Sequence, residues 1–154
     1  MKFSDLIDIF KAVATDYVNA GNTLEFIYDR FWAVNGSPDI DKTIWLVDCS
    51  PDFNLDGTQT GGREGRQEFK GKFFFFDNYW EGEQATKTLW VKQSELNELA
   101  MKIIGEVKKR QLAAANFSIE FNGGFFGKDV NNAKLIEVYC DFVATINSEC
   151  TSLI

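Results

Sequence analysis

No histidine occurs among the 154 residues. That removes the commonest general base, the commonest metal ligand and every histidine-based triad. Carboxylates remain for acid–base work, but they are scattered and no spacing singles out a pair. Proline is scarce, at two residues, and with twelve glycines the chain is far from low complexity. Cysteine is scarce too. Cys49, Cys140 and Cys150 are odd in number and widely spaced, which argues against a disulfide framework and for a reducing compartment. No apolar run approaches the roughly 18 residues that a membrane span needs. Asp5 and Asp8 interrupt what would have to be an apolar leader core, so no secretory signal is expected. Without a leader, the glycosylation triplet Asn116-Phe117-Ser118 reads as a chance match.

What is present is apolar and aromatic. The hydrophobic fraction is 45%, with fifteen phenylalanines and four tryptophans, too much for a disordered chain. The length suits a single domain over residues 1–154, and a domain of that size buries roughly 70% of the surface its unfolded chain exposes. The net charge is −7. An excess of that sign opposes the phosphate attraction behind nucleic-acid binding, and fits a surface that DNA slides past without sticking.

Periodicity predicts a helix over 4–20, where Phe3, Leu6, Ile7, Phe10, Val13, Ala14, Tyr17 and Val18 recur at helical spacing. Ser4 suits its N-cap and Gly21 its C-terminal turn. A short strand is predicted at 24–28 and a buried one at 43–49, with the turn cluster Asn35-Gly36-Ser37-Pro38 between them. Residues 52–65 read as a polar, glycine-rich loop. A strand follows over 67–79. Its alternation sends Phe73 and Phe75 to one face and Phe74 and Phe76 to the other, so both faces need a cover: a helix on one side, a second layer or a neighbouring subunit on the other. A second helix is predicted from about Ser94, or as early as Thr86, to Leu112. Glu95 and Glu98 would open it and Lys108-Lys109-Arg110 close it, the order its dipole favours. Phe117, Ile119 and Phe121 alternate as a strand before a turn at Asn122-Gly123-Gly124. Ile136, Val138, Cys140, Phe142, Ala144 and Ile146 give the clearest strand. The expected fold class is α+β, a mostly antiparallel sheet with two amphipathic helices packed on one face.

Three stretches invite chemistry. Asp52, Asn54 and Asp56, followed by Gly57, match the first half of a calcium loop. The second half fails, because Arg63 stands where the bidentate acid belongs and Glu64 comes one residue late. The three side chains are the only metal candidates, and half a motif is weak: an Asx-rich surface turn is the reading preferred for them, with no metal expected. Gly61-Gly62-Arg63-Glu64-Gly65-Arg66 lacks the Lys-Ser/Thr of a phosphate loop and leads into a strand pattern. Gly123-Gly124-Phe125-Phe126-Gly127-Lys128 ends in Asp129 instead of a hydroxyl residue. Both read as flexible turns. No catalytic residue and no cofactor is implied. The basic run Arg63, Arg66, Lys70 and Lys72 reads as a solvated strand end, or as an arm that pairs with an acidic neighbour.

Several features together resemble the small tail-terminator or tail-completion proteins of tailed bacteriophages, which act at the neck. These are the N-terminal amphipathic helix, the Thr43–Val47 strand after a turn, the long polar loop, the Phe73–Asp77 strand, the Leu96–Leu112 helix, the final Leu135–Phe142 strand and the trailing Cys150. The resemblance covers nearly the whole chain and rests on arrangement. It implies a self-associating ring, typically hexameric, built through side-by-side sheet contacts. Such a ring caps the tail tube, meets other neck and tail-tube proteins, and lets DNA pass an acidic lumen without specific binding. It would be assembled in the host cytoplasm and end in the virion, with no membrane involved. The 57–66 loop is then the candidate inter-subunit arm, and Gly57, Arg63, Arg66, Phe74 and Phe76 are the candidate interface residues. Another head–tail connector or neck ring would look much the same. A small ligand-binding or adaptor domain and a carboxylate-dependent enzyme are the readings outside this class.

Overall fold

Residues alternate between apolar and polar along the 135–149 stretch, and this stretch is the spine of the fold. A computed structural model describes residues 3–29, 42–54, 64–78, 85–114, 117–128 and 135–149. In chain order the elements are α1 (Phe3–Asn19), β1 (Glu25–Tyr28), β2 (Ile44–Asn54), β3 (Glu64–Asn78), α2 (Ala85–Ala114), β4 (Phe117–Lys128) and β5 (Leu135–Glu149). The strands form one sheet in the order β1-β2-β3-β5-β4. β1 runs parallel to β2, and every other neighbouring pair is antiparallel. The fold is α+β, as expected, with β3 and β5 paired along their full length from Glu64↔Glu149 to Asn78↔Leu135.

Both helices lie on one face of this sheet. Leu6, Phe10, Val13 and Ala14 of α1 and Leu96, Ala100, Ile103, Ile104 and Val107 of α2 join one core with Trp45, Val47, Phe73, Phe75, Val138, Cys140 and Phe142. The recurrence at three and four residues puts each helix's apolar side chains on one stripe, and the period of two does the same for each strand. Aromatic rings hold the centre. Phe10 meets Phe73 edge-on at 5.1 Å, and Trp45 meets Phe73 at 5.1 Å. Among the described residues no helix is long and apolar enough to cross a membrane.

Several boundaries differ from expectation. α1 begins at Phe3, so Ser4 sits inside its first turn and does not cap it. Its other end is as read: Gly21 has φ +95°, its N–H donates to the Val18 carbonyl, and Asn22 Nδ2 donates to the Tyr17 carbonyl. α2 begins at Ala85, one residue from the earlier of its two expected starts, which leaves Glu95 and Glu98 mid-helix and ends the argument from the dipole. The first turn carries no acid and the last no base.

The polar loop is also shorter than read. Residues 52–54 continue β2 and residues 64–65 open β3. The β2–β3 register shifts between Ser50 and Asn54, four steps on β2 against two between Lys70 and Glu68. Pro51 lies inside that shift, and a residue without an N–H cannot continue a ladder. Likewise Asn122-Gly123-Gly124 does not turn the chain. β4 runs on to Lys128 with a register shift between Asn122 and Phe126. Glycines that permit a turn also permit a bulge.

Candidate functional site

The second face of the sheet divides into two halves along the strands. The positions on it are Ile44, Leu46 and Asp48 of β2; Lys70, Lys72, Phe74 and Phe76 of β3; Glu137, Tyr139, Asp141, Val143 and Thr145 of β5; and Ser118, Glu120 and Asn122 of β4. Register turns these into rows. Ile44–Phe76–Glu137 and Leu46–Phe74–Tyr139 form the apolar half. Asp48–Lys72–Asp141–Asn122 forms the first polar row, with charges alternating in sign across neighbouring strands.

The apolar half is a second core. Ile44, Leu46, Phe74 and Phe76 are buried together, with Ile27 and Tyr139 packed against them. The Phe74 and Phe76 rings stack 5.8 Å apart with an 8° interplanar angle. These two were the aromatic candidates for an inter-subunit surface. In the single chain they are 6% and 1% exposed, so they stabilise the subunit itself and are not available to a neighbour.

The polar half is open. Asp48, Lys70, Lys72, Asn122, Asp141 and Val143 line a shallow concavity of about 520 Å³. Lys72 Nζ lies 3.5 Å from Asp141 Oδ1 and 5.2 Å from the centre of the Tyr139 ring. Both side chains of that ion pair are half exposed, so water screens it and its worth is at most about 1 kcal/mol. The row offers matched donors and acceptors to another surface.

Two of the cysteines lie among the described residues. Cys49 and Cys140 are buried and free. Cys49 Sγ points at the Lys70 carbonyl at 3.7 Å, and its own carbonyl accepts a hydrogen bond from the Tyr28 hydroxyl at 3.0 Å. Burial, with the Asp141 carboxylate adding to it, pushes the Cys140 thiol from an ordinary 9.0 up to about 12, against a smaller opposing effect of the Phe73 backbone. A thiol kept protonated is neither nucleophile nor metal ligand at neutral pH.

No family model matches the chain, and no curated protein does either. The sequence-predicted site residues therefore stand on geometry alone. Asp52 and Asn54 lie on β2 and Arg66 on β3, whereas Asp56, Gly57 and Arg63 fall outside the described residues. Asp52 falls within the register shift of β2 that follows Ser50, and Asn54, the strand's last partnered residue, ends it. Among the described residues no group of three or more carboxylates or thiols gathers to hold a metal.

Two surfaces escaped the sequence reading. One is the charged row, whose members Asp48, Lys72 and Asp141 are far apart in the chain and meet only through register. The other is the outer side of α2, where Trp90, Val91, Met101 and Leu112 are exposed. Between the helices, Asp16, Tyr17, Lys102, Glu106 and Arg110 line a cleft of about 390 Å³. The Arg110 guanidinium pairs there with the Asp16 carboxylate, tying the end of α1 to α2.

Proposed function

We propose that this chain is a structural ring subunit of a bacteriophage neck or tail, a tail terminator or tail-completion protein that caps the tail tube and joins it to the head connector. The observation that carries this reading is the edge of the sheet. β4 spans twelve residues and, among the described residues, pairs only with β5, on one side. At the opposite edge stands β1, four residues long. An edge strand presents a row of backbone donors and acceptors that templates pairing with another chain. Two different edges meeting head to tail give a heterologous contact, and such contacts close into rings when the rotation allows.

The remaining support is chemical. The helix–strands–helix–strands order fits the resemblance, and the net charge of −7 suits a lumen that DNA traverses. The polar row Asp48–Lys72–Asp141 gives a neighbouring ring complementary charges to meet. Light scattering and class-averaged images of the purified chain test the proposal, alone and co-expressed with any tail-tube and connector proteins whose genes are found next to its own. A closed ring in either sample is the expected result. A chain that stays monomeric or dimeric in both would overturn the reading.

A further inference from the structure

One backbone donor on the β4 edge is already taken from within the chain. The Ile119 N–H donates to Gln111 Oε1 at 2.9 Å, and the contact is partly buried. Ile119 lies on β4 and Gln111 in the last turn of α2. A backbone amide carries one proton, so this one is not given to Ala144, the residue opposite on β5.

The direction of that N–H follows independently from the far edge of the sheet. The Glu25 N–H donates to the Thr43 carbonyl and the Asp29 N–H to the Val47 carbonyl. Residues 43, 45 and 47 therefore turn their backbone groups to β1, and Ile44, Leu46 and Asp48 turn theirs to β3. In an antiparallel ladder, bonded and non-bonded pairs alternate. Carried through the registers, the alternation makes Ser118, Glu120 and Asn122 the residues of β4 that bond to β5. Phe117, Ile119 and Phe121 turn theirs outward, and Ile119 is the middle one.

The reversal of the chain puts Gln111 within reach. α2 ends at Ala114 and β4 begins at Phe117, so the last turn of the helix stands beside the first residues of the strand. One turn earlier, Lys108 Nζ lies 5.8 Å from the centre of the Phe121 ring, so the end of α2 follows β4. The side-chain carbonyl of a glutamine is the kind of acceptor that the backbone of an added strand would bring. Covering an edge is one way that sheets suppress pairing with other chains.

The two edges are in phase with each other. The alternation at β1 turns the backbone of Phe26 outward, and its side chain packs on the same core as Phe117 and Ile119. Bonded partners in an antiparallel ladder carry their side chains on one face. Phe26 laid opposite an outward residue of β4 therefore continues the sheet without turning it over.

We infer that Gln111 is a latch on the β4 edge: β1 of a second copy can pair along residues 117–121 only by displacing the Gln111 carbonyl from the Ile119 N–H. The identity of the incoming strand rests on the ring reading, whereas the latch is a contact within one chain. A hydrogen bond that has to be given up first weakens association by roughly three- to tenfold.

Two variants of the full chain test this. Gln111→Ala removes the acceptor and Gln111→Glu keeps one, and both new residues favour a helix. Hydrogen exchange of the chain, diluted below the point of assembly, reads the latch itself. The Ile119 amide should exchange roughly three- to tenfold faster in Gln111→Ala, and no faster than wild type in Gln111→Glu. Analytical ultracentrifugation over a concentration series reads the consequence. Gln111→Ala should associate at a roughly three- to tenfold lower concentration than wild type, and Gln111→Glu should not. An Ile119 amide that exchanges alike in wild type and Gln111→Ala overturns the inference. A ring that assembles at the same concentration in both also overturns it, and leaves the ring reading standing. Association that rises in Gln111→Ala yet never closes into a ring keeps the latch and overturns the ring reading. No association of wild type or either variant, alone or with co-expressed neck proteins, overturns both.

Discussion

The ring of Phe142 occupies the space that a side chain on Gly71 would need. The two are cross-strand partners on β3 and β5, and a Cβ built on Gly71 would lie 2.7 Å from Phe142 Cζ and 2.7 Å from the Asp48 carbonyl oxygen. Phe142 cannot swing away freely, because Phe10, Phe73 and Phe121 pack around it. Gly71→Ala should therefore lower the unfolding free energy by about 1–3 kcal/mol, the range for overpacking a filled core. Urea denaturation reads it as a lower midpoint at unchanged slope. Combined with Phe142→Leu the losses should be less than additive, since the smaller side chain relieves one of the two clashes. Strict additivity would show that the two residues do not compete for the same space.

Phe76 tests the second core in the same way. It is buried with Ile44, Leu46 and Phe74 inside one chain. Phe76→Ala should then cost about 3–5 kcal/mol, as for a large-to-small change in a packed interior. The loss should not depend on protein concentration. A substitution that left monomer unfolding untouched and only weakened assembly would return Phe76 to the interface.

The elements were legible wherever periodicity was the physical cause. The period of two in Phe73–Phe76 gave both faces of β3, and the same rule read β5 from Ile136 to Ile146. The ends were not legible, because glycine and proline signal a break without saying which kind. Gly123 and Gly124 allow a bulge as readily as a turn, and only pairing with β5 decides between them. Pro51 marks a register shift, not the end of β2.

The surfaces were harder to read for a related reason. Asp48, Lys72 and Asp141 form one row only because β2, β3 and β5 pair in one register, which no local pattern encodes. Trp90, Met101 and Leu112 were in plain view, yet an eleven-residue spacing falls outside the three- and four-residue steps by which a core stripe is recognised. Glu95 and Glu98 looked like the start of a helix because Ser94 before them suits an N-cap. The helix in fact begins at Ala85, so these acids stand mid-helix instead of marking its end.

Cys140 makes stability depend on pH in the alkaline range. Its thiol is raised from 9.0 to about 12 in the fold, by burial first and by Asp141 second. A raised folded value means that the unfolded chain loses this proton first. The contribution is fully present below pH 9.0 and is lost as pH rises towards about 12. Other groups titrate in that window, so the measurement is a difference. Between pH 8 and 10.5, roughly the span over which an unperturbed thiol ionises, the stability of wild type should fall more steeply than that of Cys140→Ala. Parallel curves would mean that the thiol is not held protonated. In a Cys150→Ser background the native protein should also react slowly with a thiol reagent, at a rate set by opening of the core.

Among the described residues nothing receives the buried indole N–H of Trp45. Its side chain is fully buried among Phe10, Phe26, Phe73 and Phe75, and among the described residues Nε1 has no hydrogen-bond partner. Leaving such a group unpaired costs about 1–3 kcal/mol, and the indole stays because its area and ring contacts outweigh that cost. The two effects separate on substitution. Trp45→Phe removes the orphaned N–H and keeps most of the aromatic contact, so its net loss should stay below about 1.5 kcal/mol, the void being offset by the relieved donor. Trp45→Ala removes the contacts as well and should cost the full range of about 3–5 kcal/mol. Urea unfolding of the two variants reads the gap between them. If Trp45→Phe proved as costly as Trp45→Ala, the N–H would have to be satisfied in solution, and the indole would be held by a hydrogen bond as well as by packing.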